Sequence, residues 1–339
     1  MKTTLRILLP IALGGGILWW MYRGMEWTDV QQALDHDMDW RWMLASMPFC
    51  VLAQWLRAMR WRQMLEPLDE HPRLRTATVA IYLSYASSLV VPRVGEVLRC
   101  AILKRFDGTR FTPALGTVVT ERIIDMAAIA AIAALVFVWQ WDGFLRVAEE
   151  TGAGIGPIVA AFSITGWLVT ALCAAAAVLF VACMARRLEL WTRLKGTARN
   201  MADGLTSVRR VRRPWLTAAY SASIWASYFL HFYVAFFAFD CTCSIAAGPA
   251  WVAFVVGTFA VLVPTPNGAG PWHFAVKTVL CIYGVAAAPA AMFCLITHTL
   301  QTAFTALLGI YGLLVLAVQR TQCPSENSKN SENSKKHKP

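Results

Sequence analysis

The sequence predicts an all-α polytopic membrane protein arranged as an inverted repeat, each half holding three full spans and one broken re-entrant hairpin. Three observations lead there. Of the 339 residues, 57% are hydrophobic and 15% charged, against about 25% charged in soluble domains. Loops between the apolar runs alternate between acidic and basic. Two further apolar runs stop at breaks rich in proline and glycine, and only hairpins there keep the alternation intact. The formal net charge of +11 would suggest nucleic acid in a soluble chain. Here it sorts by loop, and no nucleic-acid partner is expected.

Residues 5–22 form the first run, flanked by Lys2 and Arg6 and closed by Trp19, Trp20 and Tyr22 as an interfacial belt. No small-residue cleavage site follows, so it reads as an uncleaved span with a cytoplasmic N-terminus. Glu26, Asp29, Asp35, Asp37 and Asp39 mark the next loop as external. The second span is residues 40–56. Arg57, Arg60, Arg62, Arg73 and Arg75 then read as a cytoplasmic loop.

Residues 77–105 contain the first break, at Pro92–Gly95. Proline ends the helical hydrogen-bond ladder and Gly95 loosens the backbone beside it. A simple crossing here would put Arg99, Lys104, Arg105 and Arg110 outside, whereas a hairpin entering from the cytoplasm returns them. Residues 113–139 are a full span carrying Glu121, Arg122 and Asp125, with the two carboxylates at i, i+4 on one face. Residues 157–183 span next and lead to the most basic loop, Arg186 to Arg213, which suits anionic headgroups at a membrane surface.

Residues 214–239 span outward. Residues 250–284 hold the second break, Pro264 to Pro271, with Pro264, Pro266, Gly268 and Gly270 as its breakers. His273 and Lys277 follow at i, i+4. The last span is 290–318. The S-E-N-S-K repeats of the 319–339 tail predict cytoplasmic disorder. The expected units are therefore residues 1–139, 140–318 and the tail. The nine cysteines show no metal-site spacing, and no cofactor or metal is expected.

P-R-V-G-E-V-L-R at Pro92–Arg99, T-E-R-I-I-D at Thr120–Asp125 and P-T-P-N-G-A-G at Pro264–Gly270 occur in this order. Over about residues 5–318 the chain resembles the flippase-like membrane region of lysylphosphatidylglycerol synthases and its stand-alone relatives. The family's P-x-R-x-G-E-x-x-R pattern falls on Pro92, Arg93, Gly95, Glu96 and Arg99, and its E-R-x-x-D on Glu121, Arg122 and Asp125. Asn267 replaces the first of the paired glycines of many relatives, and His273 stands where a Glu would be. Only about twenty residues follow the last span, so lysyl transfer is not expected.

The resemblance implies a non-enzymatic lipid flippase-like transporter of the bacterial cytoplasmic membrane. Its substrate would be a phospholipid or lipid-linked headgroup, with an envelope enzyme or a second copy as possible partner. Arg93 and Arg99 suit phosphate, Glu96, Glu121 and Asp125 suit a cationic group or protons, and Arg122, Asn267, His273 and Lys277 complete the candidate site. Two alternatives stay open. One is an intramembrane enzyme acting on a lipid-linked substrate, since paired carboxylates permit acid–base work. The other is a non-catalytic partner of an envelope-lipid enzyme. The same charges also suffice for a structural lock of the first hairpin.

Overall fold

The structure is a computed structural model that describes residue 12 and residues 14–91, 94–141, 213–263 and 265–322. The expected span at 157–183, the basic loop before Arg213, the tail from residue 323, and Pro92, Arg93 and Pro264 lie outside the described residues. Helices account for the fold. They are α1 (residues 14–22), α2 (Trp27–Gln32), α3 (Trp40–Leu65), α4 (Leu74–Ser88), α5 (Val94–Asp107) and α6 (Phe111–Trp139). Beyond residue 212 come α7 (Pro214–Phe236), α8 (Ala247–Ala260), α9 (Pro271–Ile282) and α10 (Ala287–Gln322). Among the described residues there is no strand, only an isolated bridge between Met38 and Phe239. Two helices, α6 and residues Ala287–Gln319 of α10, are long and apolar enough to cross a membrane by themselves.

The three central helices are α3, α6 and α7. Contacts Gln63–Thr217, Arg60–Ser221 and His231–Ser46 run α7 antiparallel to α3 along its length. Trp61–Thr117 and Arg57–Asp125 do the same for α6. Here the fold departs from the sequence expectation. The second helix does not end near residue 56; it continues to Leu65, so Arg57 and Arg60 are not loop residues but buried core. No residue between Trp55 and Leu65 breaks a helix, and Pro67 in the following turn is the first that does.

The first hairpin, α4 and α5, folds back on itself. A Cβ on Gly95 would collide with the backbone carbonyl of Ser84, so glycine sets the close approach of the two arms. At the far end the Arg73 backbone and Nε donate to Asp107 (3.0 and 2.7 Å), and Arg110 Nε donates to Glu70 (2.5 Å). The hairpin therefore enters and leaves at one face. The second hairpin, α8 and α9, packs Gly257 against Val276 and Trp272.

Both hairpins lie on α10, from opposite ends. Gly312 meets Val79 and Leu83, and Gly309 meets Ala86, so α4 runs antiparallel with its base toward the α10 C-terminus. α9 turns directly into α10, and the break behind it reaches Thr302 through Asn267. The two tips thus converge around residues 302–309, about 10 Å of helix at 1.5 Å per residue. In hydrocarbon, helices gain little from burying apolar surface, and close approach through small residues takes over. The buried apolar residues form two clusters. One holds the first hairpin with Ala58–Leu68, Ala114 and Val118. The other holds the second hairpin with α7, Ile129 and Val136. Along α6, Glu121 and Asp125 fall between them.

Candidate functional site

The layer between the two apolar clusters is charged. Glu121 and Asp125 stand one turn apart on α6, facing α3. Arg57 Nη1 donates to Glu121 Oε1 and Asp125 Oδ2, both at 2.6 Å. Arg60 donates through Nη2 to Asp125 Oδ1 (2.6 Å) and through Nη1 to Ser221 of α7 (2.8 Å). From α5, Arg99 Nη1 donates to Glu121 Oε2 (2.9 Å), and the guanidinium lies 4.7 Å from the Trp61 ring centre. Trp61 is itself held by its N–H donating to Thr117 (2.9 Å). Arg57 sits between the rings of Tyr85 and Tyr228, whose hydroxyls are 2.9 Å apart. At the rim, half-exposed Arg122 reaches Glu121 (3.3 Å), Asp125 (3.7 Å) and Glu96 (3.5 Å).

Four guanidinium groups thus face three carboxylates. Each guanidinium carries five N–H donors. The buried Nε atoms of Arg57, Arg60 and Arg99, and Nη2 of Arg99, make no hydrogen bond among the described residues. A buried cation is costly unless paired and fully hydrogen-bonded. The layer therefore has donors and positive charge to spare at the tip of the first hairpin, and an anion is the ligand that would use both.

A second polar group sits at the other break. Pro266–Gly268 is a single 3₁₀ turn in which Asn267 takes φ 52°, a left-handed conformation that asparagine tolerates better than most residues. Its side-chain amide donates to Thr302 (2.8 Å), and its carbonyl lies 3.1 Å from His298 Nε2. His273, buried at the start of α9, receives the Gly270 N–H on Nδ1 (3.3 Å) and packs 4.4 Å from the His298 ring. Lys277 is half-buried one turn later.

Of the candidate residues, the structure brings Glu96, Arg99, Glu121, Arg122 and Asp125 into one cluster. Asn267 and His273 form a separate one with His298, and no ion pair or hydrogen bond joins the two among the described residues. Arg57 and Arg60 were the missed members. Their signal was spacing: Arg57, Arg60, Trp61 and Met64 recur at three and four residues, the period of one helix face.

Hairpins converging on a membrane-length apolar helix beside a buried charged layer fit a membrane protein. The chain belongs to the family described as the lysylphosphatidylglycerol synthase TM region, which it matches over residues 7–309. A glycosyltransferase of Haloferax volcanii, AglD, is 28% identical over 98 residues, 28% of this chain and 16% of that protein. The chain thus spans only a small part of that relative. No solved structure matches.

Proposed function

We propose that the protein is a non-enzymatic, flippase-like transporter that carries an anionic phospholipid or lipid-linked headgroup between leaflets. The observation that carries this reading is the buried layer of Arg57, Arg60 and Arg99, rimmed by Arg122, whose spare N–H groups and excess charge sit at a helix break. Phosphate oxygens match guanidinium geometry and accept several donors at once. Discontinuous helices meeting near the midplane are a recurrent build of secondary transporters. The corresponding topology has six full spans, two hairpins entering from opposite sides and cytoplasmic termini in a bacterial inner membrane.

The test is translocation of a headgroup-labelled phosphatidylglycerol in vesicles containing the purified protein, read by quenching from outside. The wild type moves the lipid, Arg93→Gln slows it at least tenfold, and Arg93→Lys, which keeps charge but loses the planar fork, is intermediate. A wild type no faster than empty vesicles overturns the reading. Covalent product formed from a lipid-linked substrate in detergent would favour the enzyme alternative instead. Wild-type behaviour of Arg93→Gln would remove Arg93 from the phosphate site.

A further inference from the structure

We propose that the His273–His298 pair is a proton-binding site that keeps the second break closed while empty and frees it when loaded. The protonation pattern follows from the partners of each ring nitrogen. His298 Nε2 faces the carbonyl oxygen of Asn267, which only accepts, so Nε2 carries the hydrogen. Thr302 Oγ1 accepts from the Asn267 amide and is free to give its own hydrogen to His298 Nδ1, 3.5 Å away. His273 Nδ1 accepts the backbone N–H of Gly270. Both imidazoles are therefore neutral, each with a bare Nδ1 facing a donor.

A proton taken from water onto either Nδ1 turns an acceptor into a donor. On His298 it turns the Thr302 hydroxyl hydrogen away; on His273 it displaces Gly270, which holds φ 92° at the head of α9. With the rings 4.4 Å apart, two protons repel, so the pair takes one. Among the described residues, no carboxylate is placed to compensate that charge. α1 contributes Tyr22, edge-on to His273 with its hydroxyl donating to the Ala291 carbonyl. α9 contributes Lys277 and Cys281, and α10 contributes Cys294. The only titratable groups of α7 near this level are tyrosines and His231, which faces Ser46 on α3, and α8 has none. The described stretches of α1 and α7–α10 contain no carboxylate. Water reaching an opened break is then the stabiliser left for the proton, so loading favours opening.

α1 is the cover that must lift. Gly14 and Ile17 pack directly on Gly270, and Gly14 also lies against the Ala269 carbonyl and Thr265. This site goes beyond the headgroup site and is read without any lipid movement. The experiment is hydrogen–deuterium exchange of residues 262–274 in the full-length protein, held in phosphatidylglycerol–phosphatidylethanolamine nanodiscs. After correction for the intrinsic rate, the segment exchanges at least tenfold faster at pH 5.5 than at pH 7.5. His273→Gln and His298→Gln abolish most of that ratio, while His71→Gln, on the exposed turn before α4, keeps it. A flat wild-type profile overturns the proposal without recourse to any variant, as does a ratio that survives in both glutamine variants.

Discussion

Glu121 is fully buried and lies within 3.4 Å of Arg57, Arg60, Arg99 and Arg122 nitrogens. Asp125 holds two of the same arginines at 2.6 Å. Removing one partner from a buried ion pair typically costs about 3–5 kcal/mol, because the other charge is stranded. Glu121→Gln keeps the shape and removes the charge, so it should fall in that range and lower the yield of monodisperse protein in detergent. Arg122 differs because its side chain is 43% exposed. Exposed pairs contribute about 0–1 kcal/mol. Arg122→Gln should therefore shift the thermal midpoint little, and an equal loss for both variants would show that burial does not set the hierarchy. The carboxylates of this layer were legible in the sequence because charges inside an apolar helix stand out. Arg57 and Arg60 were marked only by their spacing with Trp61 and Met64, because arginines trailing an apolar run otherwise look the same whether the helix stops or continues.

At the scale of elements, the first hairpin is set by a crowded glycine and the second by a tolerant turn. A side chain at Gly95 meets the Ser84 carbonyl, which is backbone and cannot swing aside. Overpacking of this kind costs about 1–3 kcal/mol. Gly95→Ala should lower the melting temperature, and Gly95→Val should leave little folded protein on size exclusion. The second break behaves differently. Asn267 is left-handed, so Asn267→Gly relieves backbone strain while losing one bond to Thr302, and should be near neutral in thermal stability. Asn267→Val, β-branched at positive φ, should be clearly destabilised. Both breaks were readable from proline and glycine alone. Their distance from each other was not, because it depends on where Gly309 and Gly312 of α10 receive α4, and small residues in an apolar run give no direction.

For the molecule as a whole, the geometry makes a statement about sides. The connections around Glu70 and Arg110 are bonded to each other, so they share one face. The α9–α10 turn, at Gly284, lies at the opposite end of α10 from the first hairpin's base, where Val315 and Leu316 pack with Leu65 and Leu68. Charge patterning put the basic connection near Arg73 in the cytoplasm, and the same logic puts the acidic loop before Trp40 outside. Met38 pairs with Phe239, which brings the α7–α8 connection to the level of that acidic loop. One labelling series tests the whole arrangement. On a background without the nine native cysteines, Asp69→Cys and Gly108→Cys should react with a membrane-impermeant maleimide only after the cytoplasmic face is opened. Gly284→Cys, and a cysteine restored at Cys243, should react from the opposite face, without that opening. Labelling of Asp69→Cys and Gly108→Cys from different sides would make α4–α5 a single broken crossing and overturn the hairpin that the Arg73–Asp107 ion pair closes. Labelling of all four from one side would leave both hairpins entering together, and the opposed approach to α10 would then be wrong.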